Sequence, residues 1–211
     1  MATDPAKKPE AAQAPSLKPY QKIHEPTGEV VDKFKYLTGH PRQYRFDGKL
    51  GQFNIDGTEN LGRSLTFQPI AWRIFTDNIL GMGTKNWAEI FFIDENDCVS
   101  AVLFHGYSVD NLYRLIEPLY YNDLTLADVV ITATAEKKQN AAANSTYYLA
   151  EFTYKKADVA ITEMYAQYAR IRPIYRAETL TDQARNRSSF HYTVPPQLSN
   201  TETPALNAAT E

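Results

Sequence analysis

The chain carries one cysteine, Cys98, so no intramolecular disulfide can form. The polar start, Met1 to Ala14, contains no apolar stretch of the kind a secretory signal uses. Both absences fit a reducing setting, cytoplasmic or otherwise intracellular. Long hydrophobic runs are missing too. The strongest, Ile90-Phe91-Phe92-Ile93, falls far short of the ~20 apolar residues of a spanning helix, so no membrane partner is expected. Positive charge is not in excess either. A formal net charge of -3 argues against coating nucleic acid by overall charge, and confines any phosphate-binding surface to a local patch.

Constellations for chemistry are equally scarce. Cys98 sits beside a polar turn with no histidine near it in sequence, and His105 has no partner at metal or triad spacing. A buried thiol and an ordinary histidine are the simpler readings. The acidic group Asp94, Glu95 and Asp97 lacks the glycine and distal glutamate of a calcium loop, and reads as a turn. Gly81-Met82-Gly83-Thr84-Lys85 lacks the Gly-Lys-Ser/Thr ending and the following helix of a phosphate loop. The chain therefore reads as non-enzymatic, with no catalytic residue, no metal and no cofactor.

Hydrophobic residues make up 43% of the 211, enough for one core and marginal for two. Residues 1–19 and 195–211 are poor in large apolar groups and are expected to be disordered tails, because they cannot offset their ordering entropy. Residues 20–64, punctuated by His40-Pro41, Asp47-Gly48, Gly51 and Asp56-Gly57, read as an N-terminal extension of short strands and turns. Residues 65–173 carry the clearest pattern. Leu65 to Phe75 is dense in β-branched and aromatic residues, with Pro69 marking an edge or a bulge. Trp87 to Ile93 and Val99 to Phe104 flank the turn Asp94 to Asp97 as a hairpin. Ser108 suits a helix start, and Leu112, Leu115, Ile116 and Leu119 give that helix one apolar face, disturbed by Pro118. Asp128 to Thr134 and Thr146 to Tyr154 read as two more strands joined by a polar loop, Glu136 to Ser145. Asp158 then caps a last helix with the stripe Ile161, Met164, Tyr165, Tyr168 and Ile171, ended by Pro173. Its apolar face suits a homo-oligomer contact. Residues 174–194 read as a basic arm.

This order, three strands, a helix and two strands from Leu65 to Tyr154, resembles the oligonucleotide/oligosaccharide-binding (OB) fold. The resemblance implies a mainly β chain with two helices, its five strands forming an OB-like barrel carrying an N-terminal β extension and a C-terminal helix. It also implies that Thr76 to Asn86 and Glu136 to Ser145 are the loops flanking a ligand cleft. In general plan the chain resembles a single-stranded DNA-binding protein of the kind that serves DNA replication. It departs from bacterial members, which end in a strongly acidic, aromatic-tipped tail, by ending Asn207-Ala208-Ala209-Thr210-Glu211.

Single-strand binders stack bases on aromatic faces and neutralise phosphates with nearby cations. On that plan Trp72, Trp87 and Tyr147 are stacking candidates; Arg73, Lys85, Lys137 and Lys138 are phosphate contacts in the cleft, and Arg185 and Arg187 on the basic arm. The partner expected is single-stranded DNA, with RNA as the variant. Core packing is the competing account of the strand aromatics: Trp87, Glu89, Phe91 and Ile93 share one face and Ala88, Ile90 and Phe92 the other, so both faces are largely apolar. Two adjacent lysines are also common at a solvated loop tip. The rival function is a structural or assembly subunit, of a virus for instance, that uses the same surfaces for protein contacts.

Overall fold

The β-branched and aromatic stretches form strands in the computed structural model, which describes residues 16–81, 83–140, 144–172 and 174. A small antiparallel hairpin, β1 (Gln21–Ile23) and β2 (Val30–Asp32), precedes a meander of β3 (Arg42–Asp47), β4 (Gln52–Ile55) and β5 (Glu59–Gly62). The aromatic run at Leu65 to Phe75 is two strands, β6 (Ser64–Phe67) and β7 (Pro69–Asp77). There follow β8 (Lys85–Ile93), β9 (Val99–His105), α1 (Tyr107–Tyr121), β10 (Val129–Asn140), β11 (Ser145–Lys156) and α2 (Val159–Ile171). The chain is thus mainly β with two helices.

Two larger sheets carry the architecture, one in the order β5-β4-β3-β9-β8-β7 and the other β11-β10-β6. Proline cannot donate to a ladder, and at Pro69 the register against β8 shifts, so the run bends there and passes from one sheet to the other. The five strands matched to the barrel are all present, in the joined order β11, β10, β6 with β7, β8, β9. Closing them would require the free edges of β9 and β11 to meet. Instead β3 pairs with β9 in parallel, from Arg42 opposite Ser100 to Arg45 opposite Leu103. Among the described residues no closed barrel forms, and residues 42–62 lengthen the main sheet.

The sheet centre is covered on both sides. Ala88, Ile90, Phe92 and Val102 pack with Val109, Leu112 and Leu115 of α1 and with Ile131 and Ala133 of β10. On the opposite face Ala71, Phe91, Val99 and Ala101 pack with Tyr168 of α2 and with Tyr20 and Phe34. Burial of both faces explains why β7 and β8 are apolar almost throughout rather than alternating. The stripe of α2 meets this second face: Tyr168 is fully buried, its ring 5.0 Å from that of Phe34. Met164 and Tyr165 pack partly against that face, while Ile161 and Ile171 of the same stripe remain exposed.

Local signals behave unevenly. Asp158 caps α2 as expected, its Oδ1 accepting from the amides of Ala160 and Ile161. Ser108 does not cap α1. The cap position is Gly106, at φ 58°, and Ser108 instead lies in the first turn and accepts from the amide of Ala150 in β11 at 3.0 Å. Pro118 sits inside α1 without ending it. The turn after β8 is organised by Asp94, which accepts from the amides of Asn96 and Cys98 and from the hydroxyls of Ser100 and Tyr44. Cys98, expected to be buried, is only half-buried.

Candidate functional site

The region between Glu136 and Ser145, expected as a loop, is mostly strand: β10 runs to Asn140 and β11 begins at Ser145. The ladder continues in register through the polar residues, with Lys137 opposite Tyr148 and Lys138 opposite Tyr147. Because side chains alternate along a strand, the two lysines project from opposite faces. Lys137 and Tyr148 share the face of Ala133 and Ala150, beyond the end of the core. There the Tyr148 ring lies against the turn after β3 and 5.1 Å from the guanidinium of Arg63. Lys138 and Tyr147 lie on the other face.

On that other face α1 runs beside β11 and the two elements make a groove. One depression of about 200 Å³ is lined by Tyr107, Asp110 and Arg114 of α1 and by Lys138, Tyr147 and Glu151 of the hairpin. A second, of about 380 Å³, continues along Arg114, Leu115, Pro118, Phe152 and Tyr154. Hydrogen bonds fix the helix to the strand. Beside the Ser108 contact, the Asn111 Nδ2 donates to the carbonyl of Ala150 at 3.0 Å.

The groove is close to neutral. Lys138 pairs with Glu136 at 2.6 Å and Glu151 at 3.4 Å. Its hydrogen bond to Glu136 raises the Lys138 pKa and lowers that of the Glu136 carboxyl. Arg114 makes a 3.4 Å contact to the Asn111 Oδ1, and no carboxylate within ion-pair distance is found for it among the described residues. Tyr107 is 68% exposed and Tyr121 76%. At spacings of seven, four and three, Tyr107, Arg114, Pro118 and Tyr121 occupy one helical face. That spacing was readable, but the apolar face of the same helix drew the reading toward packing.

The remaining sequence candidates lie elsewhere. Trp72, Trp87 and Arg73 are 3%, 3% and 2% exposed, so none presents an open face for a base or a phosphate. Trp72 points into the core against α1, whereas the Trp87 Nε1 donates to the carbonyl of Asp77 and its ring packs on His105. Arg73 forms an ion pair with Glu89, directly opposite it on β8, and its guanidinium lies 4.6 Å from the Phe75 ring. Lys85 shares the sheet face of Trp87, which α1 does not cover, and so does not converge with Lys138. Burial, with Lys85 nearby, holds His105 below the usual imidazole range. Arg185 and Arg187, with the arm beyond Ile174 and both expected tails apart from residues 16–19, lie outside the described residues. No group of three or more metal-ligating side chains occurs among the described residues. No helix there is long and apolar enough to cross a membrane.

No family model, no curated protein and no solved structure matches the chain.

Proposed function

We propose that the chain binds single-stranded nucleic acid, DNA in the first instance, in the groove between α1 and β11, and catalyses nothing there. The observation that carries this reading is the pair of tyrosine rings Tyr107, exposed, and Tyr147, half-buried, beside the cations Arg114 and Lys138 in one depression, with Tyr121 exposed further along the same helical face. Stacking needs an open π-face, and each base offers one regardless of sequence. From Tyr107 to Tyr121 the helix spans roughly 21 Å at 1.5 Å per residue, room for a few nucleotides. The OB-like reading draws support from the strand order and from the helix between the third and fourth of the five strands. On that reading the meander of residues 42–62 occupies the seam where the barrel would close.

Near-neutral charge sets the expected character of binding. Asp110, Glu136 and Glu151 oppose Arg114 and Lys138, so stacking supplies most of the affinity and counterion release little. Fluorescence anisotropy with a labelled oligothymidylate and a duplex of equal length, at two salt concentrations, tests it. The expected result is preference for the single strand with a shallow salt slope. Tyr147→Ala and Tyr107→Ala should each cost about 1–3 kcal/mol of binding with that slope unchanged. Absence of single-strand binding, or equal binding of duplex, would overturn the proposal.

A further inference from the structure

β11 is an edge strand, paired to β10 on one side only. Its register against β10 is unbroken from Ser145 to Lys156, so the direction of every backbone group follows from any one of them. The amide of Ala150 points away from β10, since it donates to Ser108, and the amide of Tyr148 does so too, donating to the carbonyl of Gly48 at 2.8 Å. Alternation then turns the amides and carbonyls of Phe152 and Tyr154 to the same outer side. The first half of this edge is capped, by the turn after β3 at Tyr148 and by Ser108 and Asn111 at Ala150. The second half is not: among the described residues no partner satisfies the outer groups of Phe152 and Tyr154.

This open half-edge forms one wall of the larger depression, and α1 forms the other, with Leu115, Pro118 and Phe152 as apolar lining. Pro118 has no amide, so the carbonyl of Arg114 loses its i+4 donor and adds an acceptor on the helix wall. Arg114 closes the inner end of the groove, and Lys155 and Lys156 stand exposed at the outer end of the strand. A row of alternating donors and acceptors beside an apolar lining, with Arg114 at one end, Lys155 and Lys156 at the other, and Glu151 already paired with Lys138, matches an extended peptide better than a helix.

We propose that the edge of β11 from Phe152 to Lys156 is a docking site for an extended, acidic peptide segment of a protein partner. The segment adds a strand to the β11-β10-β6 sheet and presents a carboxylate to Arg114. This site is the outer stretch of the groove whose inner stretch holds Tyr107 and Tyr147, and Arg114 borders both.

The test uses the full chain and a variant that removes the outward donor of Tyr154 together with its ring, with Tyr154→Ala as the control that removes the ring alone. Tyr154→Pro deletes an amide that β10 does not use, a position where an edge strand tolerates proline. A phage library of random octapeptides is panned in parallel against the protein and this variant, with circular dichroism confirming that both are folded. The expected result is enrichment on the parent alone of peptides alternating apolar and acidic residues. Their affinity should fall at least tenfold on Tyr154→Pro, on Arg114→Ala, and when the peptide's pairing amides are methylated. No enrichment, or enriched peptides indifferent to amide methylation, would overturn the proposal. Should Tyr154→Pro unfold the chain, the methylated peptides decide alone. An oligothymidylate titration run beside it reads the stacking surface separately, so either proposal can fail without the other.

Discussion

Asp94 shows how much one carboxylate can organise. Burial alone would raise its pKa, yet the amides of Cys98 and Asn96, the Ser100 hydroxyl and Arg42 together hold it below the usual carboxylate range. A depressed native value means that its stabilisation is present above the unfolded pKa, near ~3.9, and is lost as pH falls through the native value. Urea titrations at neutral pH and at pH near ~3 should therefore show a stability loss in the parent that is smaller in Asp94→Asn. At neutral pH that variant should be destabilised by about 1–3 kcal/mol, since several donors lose a charged acceptor. Gly51 is constrained twice. It has φ +67°, and a Cβ there would meet the Tyr148 ring at 2.5 Å. Gly51→Ala should cost about 1 kcal/mol for the backbone and more for the clash, and Tyr148→Ala should recover only the second part in a double-mutant cycle read by thermal melting.

Among the elements, α2 depends on one buried ring. Tyr168→Ala should cost about 3–5 kcal/mol in denaturant unfolding, because the cavity would lie between the helix, Tyr20 and Phe34. The position of this helix was legible in its sequence, from the Asp158 cap to the stripe through Tyr168, because both signals are local. The hairpin of β8 and β9 was legible for the same reason, and so was the irregularity at Pro69. What escaped was non-local. Trp72 and Trp87 carry the same apolar signal whether buried or open, and only distant partners decide it: α1 covers Trp72, while the carbonyl of Asp77 and the ring of His105 engage Trp87. Ser108 has the chemistry of a cap, but the strand edge at Ala150 claims its oxygen. Lys137 and Lys138 looked like a loop tip because polar residues exposed on both faces of a hairpin leave no alternation to read. Half of the proposed site, Tyr147 and Lys138, was named from sequence. The helix side, Tyr107 and Arg114, was not.

At the scale of the whole molecule, a single layer of strands separates two packed interiors, one under α1 and one under α2. Leu112→Ala and Tyr168→Ala sit on opposite sides of that layer and share no partner, so their costs should add to within about 0.5 kcal/mol. A single unfolding transition in the double variant would confirm that both interiors melt as one unit, and two transitions would show that they do not. The parallel pairing of β3 with β9 reaches further than the finished fold. During synthesis β3 leaves the ribosome about sixty residues ahead of the strand it pairs with. At ~5–20 residues per second the nascent meander waits some seconds with an open edge, the period in which such an edge recruits foreign strands. The order of synthesis thus leaves the edge of β3 open until β9 arrives, although in the folded state that same edge is sealed.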